Sequence, residues 1–142
     1  MSENPFKKVL YIMATRSYIF TETSDSNFLV GSYCHWDGYP EGVGKTLVSN
    51  YHDPKTVNEL CNLGGFSTLQ ETVEETAKTK YDGHDPMHIE NVLGIPDLLG
   101  DCAYDVDYVY LFTNNNEWFV YETLYGEGSF EGLHLRTLLS LK

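Results

Sequence analysis

Positive charge is scarce in this chain. Lys and Arg number 9 against 21 Asp and Glu, a formal net charge of −12 at pH 7. Nucleic-acid backbones and anionic lipid surfaces both select clustered Lys and Arg. The balance therefore argues against direct nucleic-acid binding and against a membrane surface, and fits a partner with a basic face. Long apolar runs are missing too. Val9-Leu10-Tyr11-Ile12-Met13 is five residues, too short for a signal h-region or a membrane span. Cysteine occurs three times, at Cys34, Cys61 and Cys102. An odd count with wide spacing gives neither a disulfide framework nor a CxxC metal knuckle. Reduced thiols in a cytosolic compartment are the simplest account. There is no solenoid repeat and no low-complexity tract.

Aromatic residues are plentiful: 11 Tyr, 7 Phe and 2 Trp in 142 residues. They favour a sheet, whose pleated surface they fit. Residues 1–12 read as an N-terminal extension and 13–142 as a single domain, by length. Alternating and β-branched residues predict a strand across 9–22, a turn at 23–27 and a returning strand over 28–36. Val43, Leu47, Val48 and Tyr51 fall at helical spacing, so 41–51 reads as a helix. Gly42 and Gly44 weaken its first turn, unless they permit close approach or the helix starts later. Asp53-Pro54 opens a second helix as N-cap and first helical residue, and Gly64-Gly65 closes it. A polar third helix is expected from Ser67 or Thr68 to Lys78. Residues 81–104, broken by Gly83, Pro86, Gly94, Pro96 and Gly100, read as an ordered loop with short helical turns. Residues 106–113 and 117–125 make a second hairpin around Asn114-Asn115-Asn116. Leu133, Leu135, Leu138 and Leu139 suit a short closing helix. The fold class is α+β: a mostly antiparallel four-stranded sheet of two hairpins, with helices inserted between them.

One stretch gathers more aromatic and titratable groups than any other: Tyr-Cys-His-Trp-Asp-Gly-Tyr-Pro at 33–40. Met13-Ala14-Thr15-Arg16-Ser17, then Ile19, then this segment, Gly44, Leu47 and Tyr51, and the spacing of Val57, Leu60, Gly64, Ser67 and Leu69 together resemble a family of small phage and prophage proteins. Those proteins begin Met-Ser/Gly-Thr-Arg-Ser and carry a Tyr-Cys-His-Trp-Asp-Gly-Tyr segment. The likeness covers 13–69 well and the Trp118 hairpin loosely. The 12-residue extension and the 81–104 insertion depart from it. It implies a viral accessory protein in the cytoplasm of an infected bacterium, and carries no catalytic residue across.

Four constellations deserve weighing against structural roles. Cys34, His35 and Asp37 hold the residue types of a nucleophile, a base and an orienting acid. Strand neighbours face opposite ways, however, and only His35 and Asp37 share a face. Structurally, Asp37 would cap the next helix or bond the turn amides, and His35 would bond a backbone carbonyl. Gly-Val-Gly-Lys-Thr at 42–46 brings a phosphate loop to mind, but that motif needs glycine where Tyr39 stands. A weaker anion contact remains, with Lys45 assisting and Trp36 or Tyr39 stacking. His84, Asp85, His88 and Glu90 contain His-x3-His, interrupted by Pro86, and suit a solvated loop better than a metal site. Arg16 fits an ion pair with Asp37.

The expected working residues are Arg16, His35, Trp36, Asp37, Tyr39 and Lys45. No catalytic set, metal or cofactor is expected. The leading reading is a phage accessory protein that binds a host or phage protein, modulating host function or a defence system. The alternatives are a binder of a small nucleotide-like anion, and a hydrolase using His35 and Asp37.

Overall fold

The computed structural model describes residues 14–24, 28–90, 106–123 and 133–140. Six strands form one sheet: β1 (Ser17–Glu22), β2 (Phe28–Cys34), β3 (Met87–Glu90), β4 (Tyr108–Phe112), β5 (Trp118–Glu122) and β6 (Leu133–His134). Their order across the sheet is β3-β2-β1-β4-β5-β6. A π-helical turn, Pro40–Gly44, runs directly into α1 (Lys45–Asn50). Then come α2 (Pro54–Cys61), α3 (Val73–Ala77) and, after β6, α4 (Leu135–Ser140). No helix among the described residues is long and apolar enough to cross a membrane.

The α+β class and the two hairpins, β1–β2 and β4–β5, stand as read from sequence. The four-stranded count does not. The hairpins meet through a parallel pairing of β1 with β4, Ser17 opposite Tyr108 through Thr21 opposite Phe112, so the sheet is mixed. It also gains two edge strands. β3 pairs antiparallel with β2 inside the stretch expected to be a loop, and β6 pairs with β5 ahead of the closing helix. Short edge strands carry little periodic signal, because two to four residues complete at most two alternations.

The parallel junction accounts for the apolar centre. β4 lies between β1 and β5, and all five of its residues are buried. A strand covered on both faces reads as a continuous apolar run, here Tyr-Val-Tyr-Leu-Phe. On one face Ile19, Val30, Tyr110, Phe112 and Trp118 pack with Leu47, Tyr51, Val57, Leu60 and Leu135 from the helices. On the other, Phe20, Leu29, Val109, Leu111 and Tyr121 form a second cluster. Val106 belongs to this second cluster, not with Tyr108, Tyr110 and Phe112 as alternation predicts, because the strand begins only at Tyr108.

Polar bonds fasten the helices to the sheet. The Ser32 hydroxyl accepts from the Gly64 amide at 3.1 Å and donates to the Cys61 carbonyl at 3.0 Å, holding the end of α2. The Trp118 indole donates to the Tyr51 carbonyl at 2.9 Å. Asp53 and Pro54 take the expected places at the start of α2. The third helix is shorter and later than expected. Its cap is Thr72, whose hydroxyl accepts from the Glu75 amide at 3.1 Å. Residues 67–70 stay out of the helix because hydroxyls compete for their amides: Thr79 takes Thr68 at 3.3 Å and Thr76 takes Gln70 at 2.9 Å.

Thr76 is fully buried, and its hydroxyl also donates to the Thr72 carbonyl at 2.8 Å. Thr76→Val keeps the shape and strands the Gln70 amide, so urea unfolding is expected to show a loss of about 1–3 kcal/mol. Thr76→Ser keeps the hydroxyl and is expected to cost about 1 kcal/mol for the missing methyl.

Candidate functional site

At the end of β2 the chain turns a tight corner whose geometry follows from its main-chain bonds. Asp37 adopts a left-handed conformation, φ 58°, which Asp tolerates better than most residues. That reverses the chain so that the Gly38 amide donates to the Thr15 carbonyl at 2.8 Å and the Val43 amide to the Asp37 carbonyl at 2.8 Å. Tyr110 reaches from β4 and donates its hydroxyl to the Gly38 carbonyl at 2.6 Å. Gly42 is required by close approach, since a Cβ there would lie 2.4 Å from the Asp37 oxygen. The wide turn at Pro40–Gly44 is the result, and the α-helix starts at Lys45, later than its apolar spacing predicts.

Beyond Cys34 the strand direction continues into 65–67. The Phe66 amide donates to the Tyr33 carbonyl at 2.9 Å, His35 to Phe66 at 3.1 Å and Trp36 to Ser67 at 3.0 Å. Residues 79–81 lie alongside in turn, with Ser67 donating to Thr79 and Tyr81 to Gly65, both at 2.9 Å. The following turn brings His84 over Gly65, where a Cβ would sit 2.3 Å from the imidazole nitrogen. Gly64-Gly65 thus does more than end α2. It opens the space into which His84 settles.

The outcome is an aromatic and imidazole cluster. Tyr33 stacks on His84 with ring centroids 5.5 Å apart. His35 stands edge-on to Trp36 at 4.7 Å and to Tyr81 at 6.5 Å. The Tyr33 hydroxyl and the His35 Nδ1 are 2.8 Å apart. Burial pushes the Tyr33 phenol up, partly offset by the Arg16 charge. Burial, and then Arg16, hold the His35 imidazole below its ordinary range. The two groups share one hydrogen bond, whose donor is set by the imidazole tautomer. Trp36 and Tyr81 remain 40% and 37% exposed.

The expected residues divide between two neighbouring places. His35 belongs to the cluster, and the Arg16 charge acts on it and on Tyr33. Trp36, Asp37 and Lys45 line a cleft of about 180 Å³ on the helix side, with Glu41, Thr46 and Leu69. Trp36 joins the two. Tyr39 donates to the Asp37 carboxylate at 3.2 Å. Several expected pairings do not form. Among the described residues Arg16 and Asp37 make no ion pair; the Arg16 amide instead donates to the Asp107 carboxylate at 3.1 Å. Asp37 caps no helix through its side chain, and His35 bonds Tyr33 rather than a carbonyl. Cys34 is fully buried, and desolvation pushes its thiol up to about 12, so it holds no thiolate near neutral pH. No group of three or more metal-ligating side chains exists among the described residues. His84 and His88 part company, one in the cluster and one on β3.

Tyr33, Tyr81 and His84 are the members that sequence reasoning missed. Tyr33 was legible from its alternation with His35. Tyr81 and His84 were not, because 66–67 must bridge them to β2. No protein-family model, no curated protein and no solved structure matches the chain.

Asp37→Asn and Asp37→Gly are expected to melt near the parent temperature, since both accept a positive φ. Asp37→Val is expected to cost about 1–2 kcal/mol. His35 makes stability depend on pH. Its folded-state value lies below the unfolded one of 6.5. Its contribution is complete above about pH 6.5 and lost as pH falls toward the folded value. Unfolding free energies measured from about pH 7.5 down to about pH 5 should fall less steeply for His35→Gln than for the parent.

Proposed function

We propose that this chain works by binding a partner protein through the surface built from Tyr33, His35, Trp36, Tyr81 and His84. The observation that carries the reading is the exposure of Trp36 and Tyr81 on either side of His35, within one cluster. Large aromatic rings held open to solvent by a rigid frame are the side chains that supply most interface energy. The resemblance to small phage proteins supplies the setting, a host or phage protein as partner in the bacterial cytoplasm, with host takeover or defence evasion as the purpose.

The two other readings have less support. A nucleotide-like anion in the Trp36 cleft would meet the Asp37 and Glu41 carboxylates beside Lys45. The space is also smaller than the several hundred Å³ that such ligands occupy. A hydrolase built on His35 and Asp37 has less support, because His35 is bonded to Tyr33 and the Asp37 carboxylate accepts from Tyr39.

Affinity capture from bacterial lysate tests the proposal. The parent protein is expected to enrich a defined partner. Trp36→Ala and Tyr81→Ala should each weaken capture by about tenfold or more at unchanged melting temperature. Lys55→Ala, in the cleft at the other end of the sheet, should not. Capture that ignores both aromatic substitutions, or a parent protein that enriches nothing, contradicts the reading.

A further inference from the structure

We infer that the outer edge of β3 pairs with β3 of a second copy of this chain, giving an antiparallel homodimer. β3 ends the strand order, so among the described residues one of its edges has no neighbour. The direction of its backbone groups follows from β2. The Thr23 amide donates to the Phe28 carbonyl at 3.1 Å on the β1 side, and the Tyr33 carbonyl accepts from the Phe66 amide at 2.9 Å on the other. By alternation the backbone groups of Leu29 and Gly31 face β3, and those of their partners Ile89 and Met87 face back toward β2. His88 and Glu90 are left with their N–H and C=O groups directed outward. Both side chains are exposed, and neither makes a hydrogen bond or an ion pair within the chain.

This edge complements itself in one register. A two-fold axis through Ile89 sets His88 opposite Glu90 of the second copy, twice over, and uses every outward N–H and C=O of both residues. An imidazole N–H donates to a carboxylate in either tautomer or charge state. An axis through His88 would set imidazole against imidazole and bring Pro86, which has no N–H, into the ladder. An axis through Glu90 would set carboxylate against carboxylate. Edges guarded by one sign of charge repel a copy; this one meets a donor with an acceptor. On the opposite face, Ile89 meets Ile89 of the second copy at the close, non-hydrogen-bonded position. That contact extends the apolar cluster against which Met87 and Ile89 already pack. Phe28, 46% exposed, stands opposite Glu90 on β2 and leaves an apolar ring one strand in from the edge.

Sedimentation equilibrium of the full chain tests the dimer. Physiological ionic strength is used, where the net charge of −12 is screened, at protein concentrations up to about 1 mM. The parent is expected to pass from monomer to dimer as concentration rises. His88→Pro removes an outward donor, and an edge strand accepts proline where its N–H faces solvent. This variant should melt near the parent temperature and stay monomeric. Glu90→Lys sets an ammonium against the imidazole and should weaken the dimer about tenfold or more. Adding His88→Glu to Glu90→Lys restores opposite groups in the same register and should recover the dimer. Trp36→Ala lies off this edge and should dimerise as the parent does, so the edge and the aromatic surface succeed or fail separately. A parent that stays monomeric, a dimer indifferent to His88→Pro, or a double variant no tighter than Glu90→Lys alone overturns the inference. Should His88→Pro melt early, the Glu90→Lys variant and its double partner decide the question.

Discussion

A hydrogen bond of 2.6 Å from the Tyr110 hydroxyl to the Gly38 carbonyl ties the centre of the sheet to the corner that follows β2. Tyr110 is fully buried, and burial raises its phenol well above the ordinary range. It therefore keeps its proton and donates. The Gly38 amide is held at the same time by Thr15 at 2.8 Å. One residue is thus clamped by the lead-in to β1 and by the middle of β4. The left-handed Asp37, the wide turn at Pro40–Gly44 and the docking of α1 over the sheet all follow from where that residue sits. So does the outward placement of Trp36, two residues before it.

The corner carries the turn and the proposed binding surface, and the two roles fall on different residues. Gly38, Gly42 and the Asp37 main chain fix the turn. The side chains of His35 and Trp36, and the carboxylate of Asp37, are displayed by it. Sequence alone treats 33–40 as one unit, since every residue in it is of a type that does either job. Three-dimensional structure separates them by which way each points once Asp37 breaks the strand alternation.

Legibility varied with the range of the interactions. The hairpins were readable because alternation and turn residues such as Asn114-Asn115-Asn116 are local. Asn116 indeed adopts a positive φ. The parallel joining of β1 to β4 was not readable, because partner choice between distant strands leaves no mark on either pattern. β3 hid behind Gly83 and Pro86, and α3 was displaced by hydroxyl bonds between residues up to 11 apart. Of the site, Trp36, Asp37 and Lys45 could be gathered from sequence. Tyr81 and His84 could not, since their approach depends on 65–67 bridging two segments. The expected strand at 9–13 and the part of the expected loop at 91–104 fall outside the described residues.

Amide hydrogen exchange at Gly38 and Val43 tests most directly whether this corner is a rigid frame. Both amides lie outside the sheet, in buried residues, and are bonded to Thr15 and Asp37. Their exchange should be as slow as that of Ile19 and Tyr110 in the central strands, and in Tyr110→Phe they should open ahead of those strands. Gly38 and Val43 amides exchanging as fast as those of the exposed Asp82-Gly83 turn would contradict it. The aromatic surface would then stand on a corner that moves rather than on one the sheet holds in place.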